Sequence, residues 1–103
     1  MRLRLLPAAE QDLANGADFY ESQKTGLGIY FNQCLSTDIE SLKFYFAVHE
    51  KYGGFYRLLS KRFPFAIYYQ VEDDRIEVYA VLDCRQSQRS IDHSLGGSHQ
   101  KDF

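Results

Sequence analysis

The 103-residue chain contains no tryptophan, one methionine, two prolines and two cysteines. Cys34 and Cys84 are too few for a disulfide framework and show no CxxC spacing, so we expect a buried core thiol and a strand-end thiol. No apolar run approaches the roughly 20 residues of a membrane span, and residues 1–7 lack the apolar stretch of a signal peptide. The sequence therefore predicts a cytoplasmic protein without a membrane segment.

Motifs that hold metals or cofactors are also missing. His49, His93 and His99 have neither metal-ligand spacing nor a companion nucleophile. The pair Gly26 and Gly28 does not follow a strand, which favours a loop over a phosphate site. The three acids at 72–74 fit a solvated hairpin turn better than a metal site. We therefore expect no metal, no cofactor and no small-molecule cofactor partner.

Hydrophobic residues make up 45% of the chain, and 16% are aromatic, with eight Tyr and eight Phe. This composition predicts one globular domain with an aromatic-rich core. The charge is uneven along the chain: residues 10–50 carry seven acids and two bases, whereas residues 51–70 carry four bases and no acid. Such a basic stretch in an acidic chain indicates an anionic partner. An ordinary solvated charge run is the alternative.

Apolar spacing predicts two helices. Ala9, Leu13, Ala17 and Tyr20 recur at helical intervals over 8–23, after a Pro7 that suits a first helical turn. A longer apolar stripe predicts the second helix over 27–46. A short loop between them predicts an antiparallel helical hairpin, and Gly16 suggests a close approach by the other helix.

The remaining elements follow a period of two, which is typical of strands. Strands are predicted over 2–6, 55–60, 65–71 and 75–82, with Ile76, Val78, Ala80 and Leu82 on one face of the last. The predicted fold is α+β: the helical hairpin packs on one face of an antiparallel four-stranded sheet, in the chain order β-α-α-β-β-β. Residues 1–90 are expected to form the single domain, and residues 91–103 a loose tail.

The candidate site is a set of cations near the predicted hairpin strands: Arg57, Lys61, Arg62, Arg85 and Arg89. If the strands are neighbours, several of these side chains converge and could hold a phosphate backbone or an acidic protein segment. Tyr56, Tyr68 and Tyr79 could add stacking surfaces. Local salt bridges within the sheet are the alternative role for the arginines, and flanking the core is the alternative for the tyrosines.

Two segments are similar to a known family: residues 55–69, FYRLLSKRFPFAIYY, and residues 76–85, IEVYAVLDCR. With the opening LPAAEQDL at 6–13, they resemble the RelE/ParE superfamily of bacterial toxin–antitoxin toxins, to which plasmid stabilisation toxins belong. The resemblance is spread over most of residues 2–89.

The resemblance implies one of two activities. RelE-like members cleave messenger RNA on the ribosome with cations and a C-terminal tyrosine, whereas ParE-like members bind and poison DNA gyrase. Ala66 stands where a RelE-type arginine would be, and Ile91 stands near the expected tyrosine. These departures favour a ParE-like gyrase-binding toxin over an enzyme. If the chain is a nuclease, Arg57, Arg62 and Arg85 are the candidate catalytic residues; a degenerate, non-toxic member is the third alternative.

The resemblance also implies a cognate antitoxin whose flexible C-terminal segment wraps the toxin. We expect that segment to be acidic with apolar anchors, and to contact the cationic set Arg57, Lys61, Arg62, Arg85 and Arg89. Tyr20 and Tyr45, assigned to the helical hairpin, are expected as further anchors. The other expected partner is DNA gyrase, with the ribosome and mRNA as the alternative.

Overall fold

The computed structural model describes residues 1–85, 91–92 and 94–95, within which the chain forms two α-helices and five strands. The elements in chain order are β1 (Arg2–Leu5), α1 (Pro7–Gln23), α2 (Leu27–Glu40), a 3₁₀ turn (Ser41–Lys43), β2 (Lys51–Tyr52), β3 (Phe55–Leu59), β4 (Phe65–Glu72) and β5 (Arg75–Asp83). The α+β class and the helical hairpin are confirmed.

The sheet has the strand order β1-β5-β4-β3-β2. Strands β2 to β5 form an antiparallel series, but β1 pairs parallel to β5, from Arg2 opposite Arg75 to Leu5 opposite Val78. The expectation of an all-antiparallel, four-stranded sheet was therefore wrong in two details. A hairpin turn fixes antiparallel pairing, but β1 reaches β5 through both helices and three strands, so no turn sets its direction. The fifth strand, β2, has only two residues and carries no period-two signal.

The main core lies between the helices and one face of the sheet. Its fully buried side chains include Ala9 of α1, Phe31 and Leu35 of α2, and Ile67 and Ile76 of the sheet. Helical and strand periodicities both bring their apolar residues to this layer, so burial rather than intrinsic propensity stabilises the elements. Both helices therefore lie on one face, as predicted.

The two helices meet at glycines because a larger residue would not fit. A Cβ on Gly16 would lie 2.5 Å from the ring of Phe31, and one on Gly28 would lie 2.7 Å from the backbone oxygen of Ala17. The carboxylate of Glu21 accepts hydrogen bonds from the N–H groups of Gly26 and Gly28, at 3.0 and 2.9 Å. Glu21 thus satisfies two of the open donors at the start of α2 and fixes the hairpin turn.

The second helix is shorter than predicted. It ends at Glu40, not at residue 46, and a 3₁₀ turn carries Leu42 into the core. Ala47 then has a φ of 61°, a left-handed conformation that a helix cannot contain. The apolar stripe continued to Phe46 in sequence because Leu42 and Phe46 still pack on the core from non-helical backbone.

A β-bulge in β5 changes which residues share a face. Tyr68 pairs with Ala80 and Tyr69 with Val78, so Tyr79 is an extra residue in the ladder. Ile76 and Val78 face the helices, but Ala80 and Leu82 face the opposite side of the sheet. The prediction that these four share one face was therefore wrong after Val78.

The outer face of the sheet has its own apolar cluster. Phe55, Ala66 and Tyr68 are buried there together with Ile91 and Leu95, whose backbone is helical. Each of these two residues buries its side chain against the sheet, and the loose tail expected over 91–103 stays a prediction. The boundary at residue 90 stays a prediction. Of the helices described, none has the length and apolarity that crossing a membrane requires.

Candidate functional site

Arg57 lies on the outer face of the sheet. Its neighbours along β3, Tyr56 and Leu58, pack toward the helices, so alternation turns Arg57 the other way. Its guanidinium lies 5.2 Å from the centroid of the Tyr52 ring, and it hydrogen-bonds the hydroxyl of Tyr68, its cross-strand partner. Burial raises the pKa of Tyr68, and Arg57 partly opposes that rise. The cation is thus held by two aromatic side chains.

Tyr52 connects Arg57 to the segment that contains Ile91 and Asp92. Its hydroxyl donates a 2.6 Å hydrogen bond to a carboxylate oxygen of Asp92. Burial and this bond together raise the pKa of Tyr52 to about 12. Ala66 and Ile91, the two positions at which RelE-type chemistry was sought, are both buried in the apolar cluster beside it. Around Arg57, the described part of the outer face therefore presents two tyrosines, the Asp92 carboxylate and an apolar floor.

Lys61 and Arg62 lie in the turn between β3 and β4, beside α2. The turn is anchored by buried Asp38, whose carboxylate accepts bonds from the Ser60 hydroxyl at 2.9 Å and from the Lys61 N–H at 3.4 Å. Arg62 donates to the hydroxyl of Tyr30 at 3.4 Å. Within the described part of the chain, neither cation is in an ion pair. A cavity of about 310 Å³ opens between them and α2, lined by Tyr30, Gln33, Cys34, Thr37, Asp38, Lys61 and Arg62.

Arg85 follows the end of β5 and is already paired. Its Nε and a terminal nitrogen donate to the two carboxylate oxygens of Asp83 at 2.9 and 2.6 Å. This pair lowers the pKa of Asp83. Arg85 also interacts with Tyr20 of α1. The local salt bridge that was the alternative role for the arginines thus describes Arg85 well, although 60% of its side chain stays exposed.

Three of the predicted cations come together and one does not. The N–H of Cys84 donates to the Pro64 carbonyl at 2.7 Å, which joins the end of β5 to the β3–β4 turn. Lys61, Arg62 and Arg85 therefore share one end of the sheet, which we call the basic end, whereas Arg57 is on the outer face. Arg89 lies outside the described residues, as do His93 and His99.

Aromatic rings form the centre of the basic end. Phe63 contacts Tyr20, Tyr30 and Phe31, with ring centroids 4.8, 5.7 and 5.1 Å apart. Tyr20 is therefore placed beside the predicted cations. Tyr45 is not: it lies in the loop after the 3₁₀ turn, with 64% of it exposed. The basic end combines unpaired positive charge, partly exposed rings and a cleft, which suits an acidic segment with apolar anchors.

Sequence reasoning missed two residues that shape these surfaces. Asp38 carried a usable signal, because an acid beside Leu35 and Ile39 in an apolar stripe needs a buried partner. Tyr52 carried none, because its bond to Asp92 joins residues that are far apart in sequence.

Of the comparisons with known proteins, the one with solved structures supports the fold. No protein family's sequence profile matches the chain, and no curated protein matches it. Among solved structures, it is similar to a chain from the chromosomal ParDE TA system from P. aeruginosa, with a TM-score of 0.68 and 21% sequence identity. The match covers 79% of this chain and 92% of that chain. At this identity the likeness shows a shared fold, and it confirms the fold that the resemblance predicted.

Proposed function

We propose that this chain is the toxin of a type II toxin–antitoxin pair, that it acts in the bacterial cytoplasm as a ParE-like poison of DNA gyrase, and that a cognate antitoxin neutralises it. The observation that carries the proposal is the shared fold with a chain of a ParDE system, which extends over 92% of that chain. Folds host many functions, so the choice of target rests on the residues.

The outer face supports a binding toxin over a nuclease. Ribonuclease chemistry of the RelE type needs a positioned general base and cations around the scissile phosphate. At the two positions where the resemblance implies an arginine and a tyrosine, this chain has Ala66 and Ile91, which are 0% and 6% exposed in an apolar cluster. Neither side chain can transfer a proton or contact a phosphate by charge.

One observation favours the RelE-like alternative. Arg57 is a cation held between Tyr52 and Tyr68 on this same face, and an arginine flanked by aromatic rings can bind a phosphate and a stacked base. Because the residues of the outer face include support for both targets, the target must be determined by experiment.

Controlled expression in a bacterium separates the candidates. Gyrase poisoning should induce the DNA-damage response and filamentation while protein synthesis continues, and purified gyrase with this protein should accumulate cleaved plasmid. A prompt arrest of amino-acid incorporation with intact DNA would instead support the ribosome-dependent nuclease. Growth without either effect, for soluble protein at equal expression, would leave only the non-toxic alternative.

The basic end is the proposed contact for the antitoxin tail. Among the described residues, Lys61 and Arg62 form no ion pair and can meet carboxylates without breaking one, whereas Arg85 must be shared with Asp83. Truncating an arginine that is buried against a carboxylate in a complex typically costs about 2–5 kcal/mol. We therefore expect Arg62→Ala to weaken the complex markedly, and Arg85→Ala to weaken it less.

Calorimetry of antitoxin binding at low and high salt tests this assignment. The matched control is Arg2→Ala, because Arg2 lies opposite Arg75 at the other end of the sheet and its side chain forms an exposed ion pair with Asp74. The variants should lose affinity and salt dependence together, while the control keeps both. Wild-type affinity in all variants would show that the antitoxin binds elsewhere.

A further inference from the structure

The segment between the 3₁₀ turn and β2 exposes large apolar side chains. Phe44, Tyr45 and Val48 are 78%, 64% and 71% exposed, which is unusual for three neighbours in five residues. We call residues 44–50 the apolar loop. The site described above does not include it.

One buried hydroxyl anchors this loop. Tyr69 of β4 is fully buried, and its hydroxyl oxygen accepts a 3.1 Å hydrogen bond from the N–H of Ala47. The same hydroxyl is hydrogen-bonded to Nδ1 of His49, whose ring lies edge-on at 5.6 Å. Ala47 has a φ of 61°, a left-handed conformation that is unfavourable for an alanine. The two bonds to Tyr69 hold the loop at this residue, while Phe46 packs on the core and the Glu50 carbonyl accepts a bond from the Arg57 N–H at 2.9 Å.

The direction of the bonds makes the anchor sensitive to protons. The Tyr69 oxygen accepts from Ala47, and its own hydrogen can be donated to Nδ1 of His49 when that nitrogen is unprotonated. Burial raises the pKa of Tyr69, so the phenol keeps that hydrogen. Burial also lowers the pKa of His49, so the neutral ring is favoured when the loop is docked. Protonation would place two donors against one hydroxyl.

Three charged residues lie near His49. His49 borders a cavity of about 470 Å³ with Glu50, Arg57, Leu58 and Leu59, but the Arg57 guanidinium lies at Tyr52 on the outer face. The Tyr56 ring is stacked on Tyr69 at 5.3 Å, and Lys51 lies over that ring. Burial opposes a charged imidazole at His49.

We infer that His49 and Tyr69 form a proton-sensitive clasp that holds the centre of the apolar loop on the sheet, so that protonation of His49 frees residues 47–49 while the rest of the fold stays intact. The sign follows from the lowered pKa of His49: the contribution to loop stability is complete above the ordinary histidine value near 6.5 and is lost as the pH falls through the lower folded value. The inference does not depend on the proposed function.

Amide hydrogen exchange of the full chain between about pH 7.5 and pH 5, corrected for intrinsic rates, tests the clasp. The protection of the Ala47 amide should fall several-fold on acidification, while that of Ile67 in β4 holds. In His49→Asn, whose amide oxygen can replace Nδ1 as the acceptor, the protection should be independent of pH. In Tyr69→Phe it should be low at every pH.

Each contrary result overturns the clasp. Retention of the wild-type pH dependence in His49→Asn would assign it to another group. Equal loss of protection at Ala47 and Ile67 would mean global acid unfolding, and constant protection at Ala47 would mean no clasp. The His49→Asn comparison remains decisive if Tyr69→Phe does not fold.

Discussion

Replacing Gly28 with alanine tests the contact between the two helices. The new Cβ would lie 2.7 Å from the backbone oxygen of Ala17 and 3.0 Å from a carboxylate oxygen of Glu21. Backbone cannot rotate away as a side chain can, so α1 and α2 would have to separate. The carboxylate is itself fixed by the Gly26 and Gly28 N–H groups, so moving it would also disturb the start of α2.

The expected change in the free energy of unfolding for Gly28→Ala is the sum of opposing contributions. Alanine is favoured over glycine in a helix by up to about 1 kcal/mol. Overpacking costs about 1–3 kcal/mol, and a disturbed cap costs about 1 kcal/mol more. The net effect should be a destabilisation of about 1–3 kcal/mol. For a domain near 100 residues, each kcal/mol lowers the melting temperature by about 4–8 °C.

Urea unfolding of the wild type, Gly28→Ala and the control Ala14→Gly measures the effect. Ala14 is exposed on α1, so Ala14→Gly should lose about 1 kcal/mol from propensity alone and calibrates that contribution in this protein. The sign of the change in the free energy of unfolding for Gly28→Ala decides whether the two helices are in close contact at this residue. A gain in the free energy of unfolding similar in size to the control's loss would refute the close approach.

Two further substitutions have defined outcomes in the same assay. Asp38→Ala leaves the Ser60 hydroxyl without its acceptor and should lower the free energy of unfolding by about 1–3 kcal/mol. The control Ser36→Ala, at an exposed position, should change it by less than about 0.5 kcal/mol. Equal effects of the two substitutions would contradict the anchoring role of Asp38. Burial raises the pKa of Asp12, whose carboxylate accepts the Val81 N–H, so its charge opposes folding above the ordinary aspartate value near 4. Asp12→Asn keeps an acceptor and should therefore gain stability relative to wild type as the pH rises from about 3 to 6; the opposite trend would contradict this.

The sequence predicted the elements that bury one continuous face. The period-two pattern of β4 places Phe65, Ile67 and Tyr69 in the main core as expected, and Pro7 begins α1. Gly16 was expected to mark a close approach, and the Phe31 ring lies against it. In each case the residue type or its spacing carries the signal, whichever residue it packs against.

The errors arise where distant residues decide. The bulge at Tyr79 depends on the pairing of β5 with β4. The alternation of polar and apolar residues over 75–82 does not indicate it. In the sequence, Leu95 is a single apolar residue in a polar tail. In the structure, it packs in the apolar cluster on the outer face of the sheet. Likewise, the cations at Arg62 and Arg85 were identified by type, but the separation of Arg57 from them depends on tertiary structure.

The pairing of β1 with β5 has a consequence for synthesis. Arg2 is synthesised before its ladder partner, Arg75, which is made only after both helices and three other strands. At roughly 5–20 residues per second, β1 waits several seconds for its neighbour. The sheet therefore cannot close during most of translation, and the nascent chain must carry an unpaired N-terminal strand beside an already formed helical hairpin.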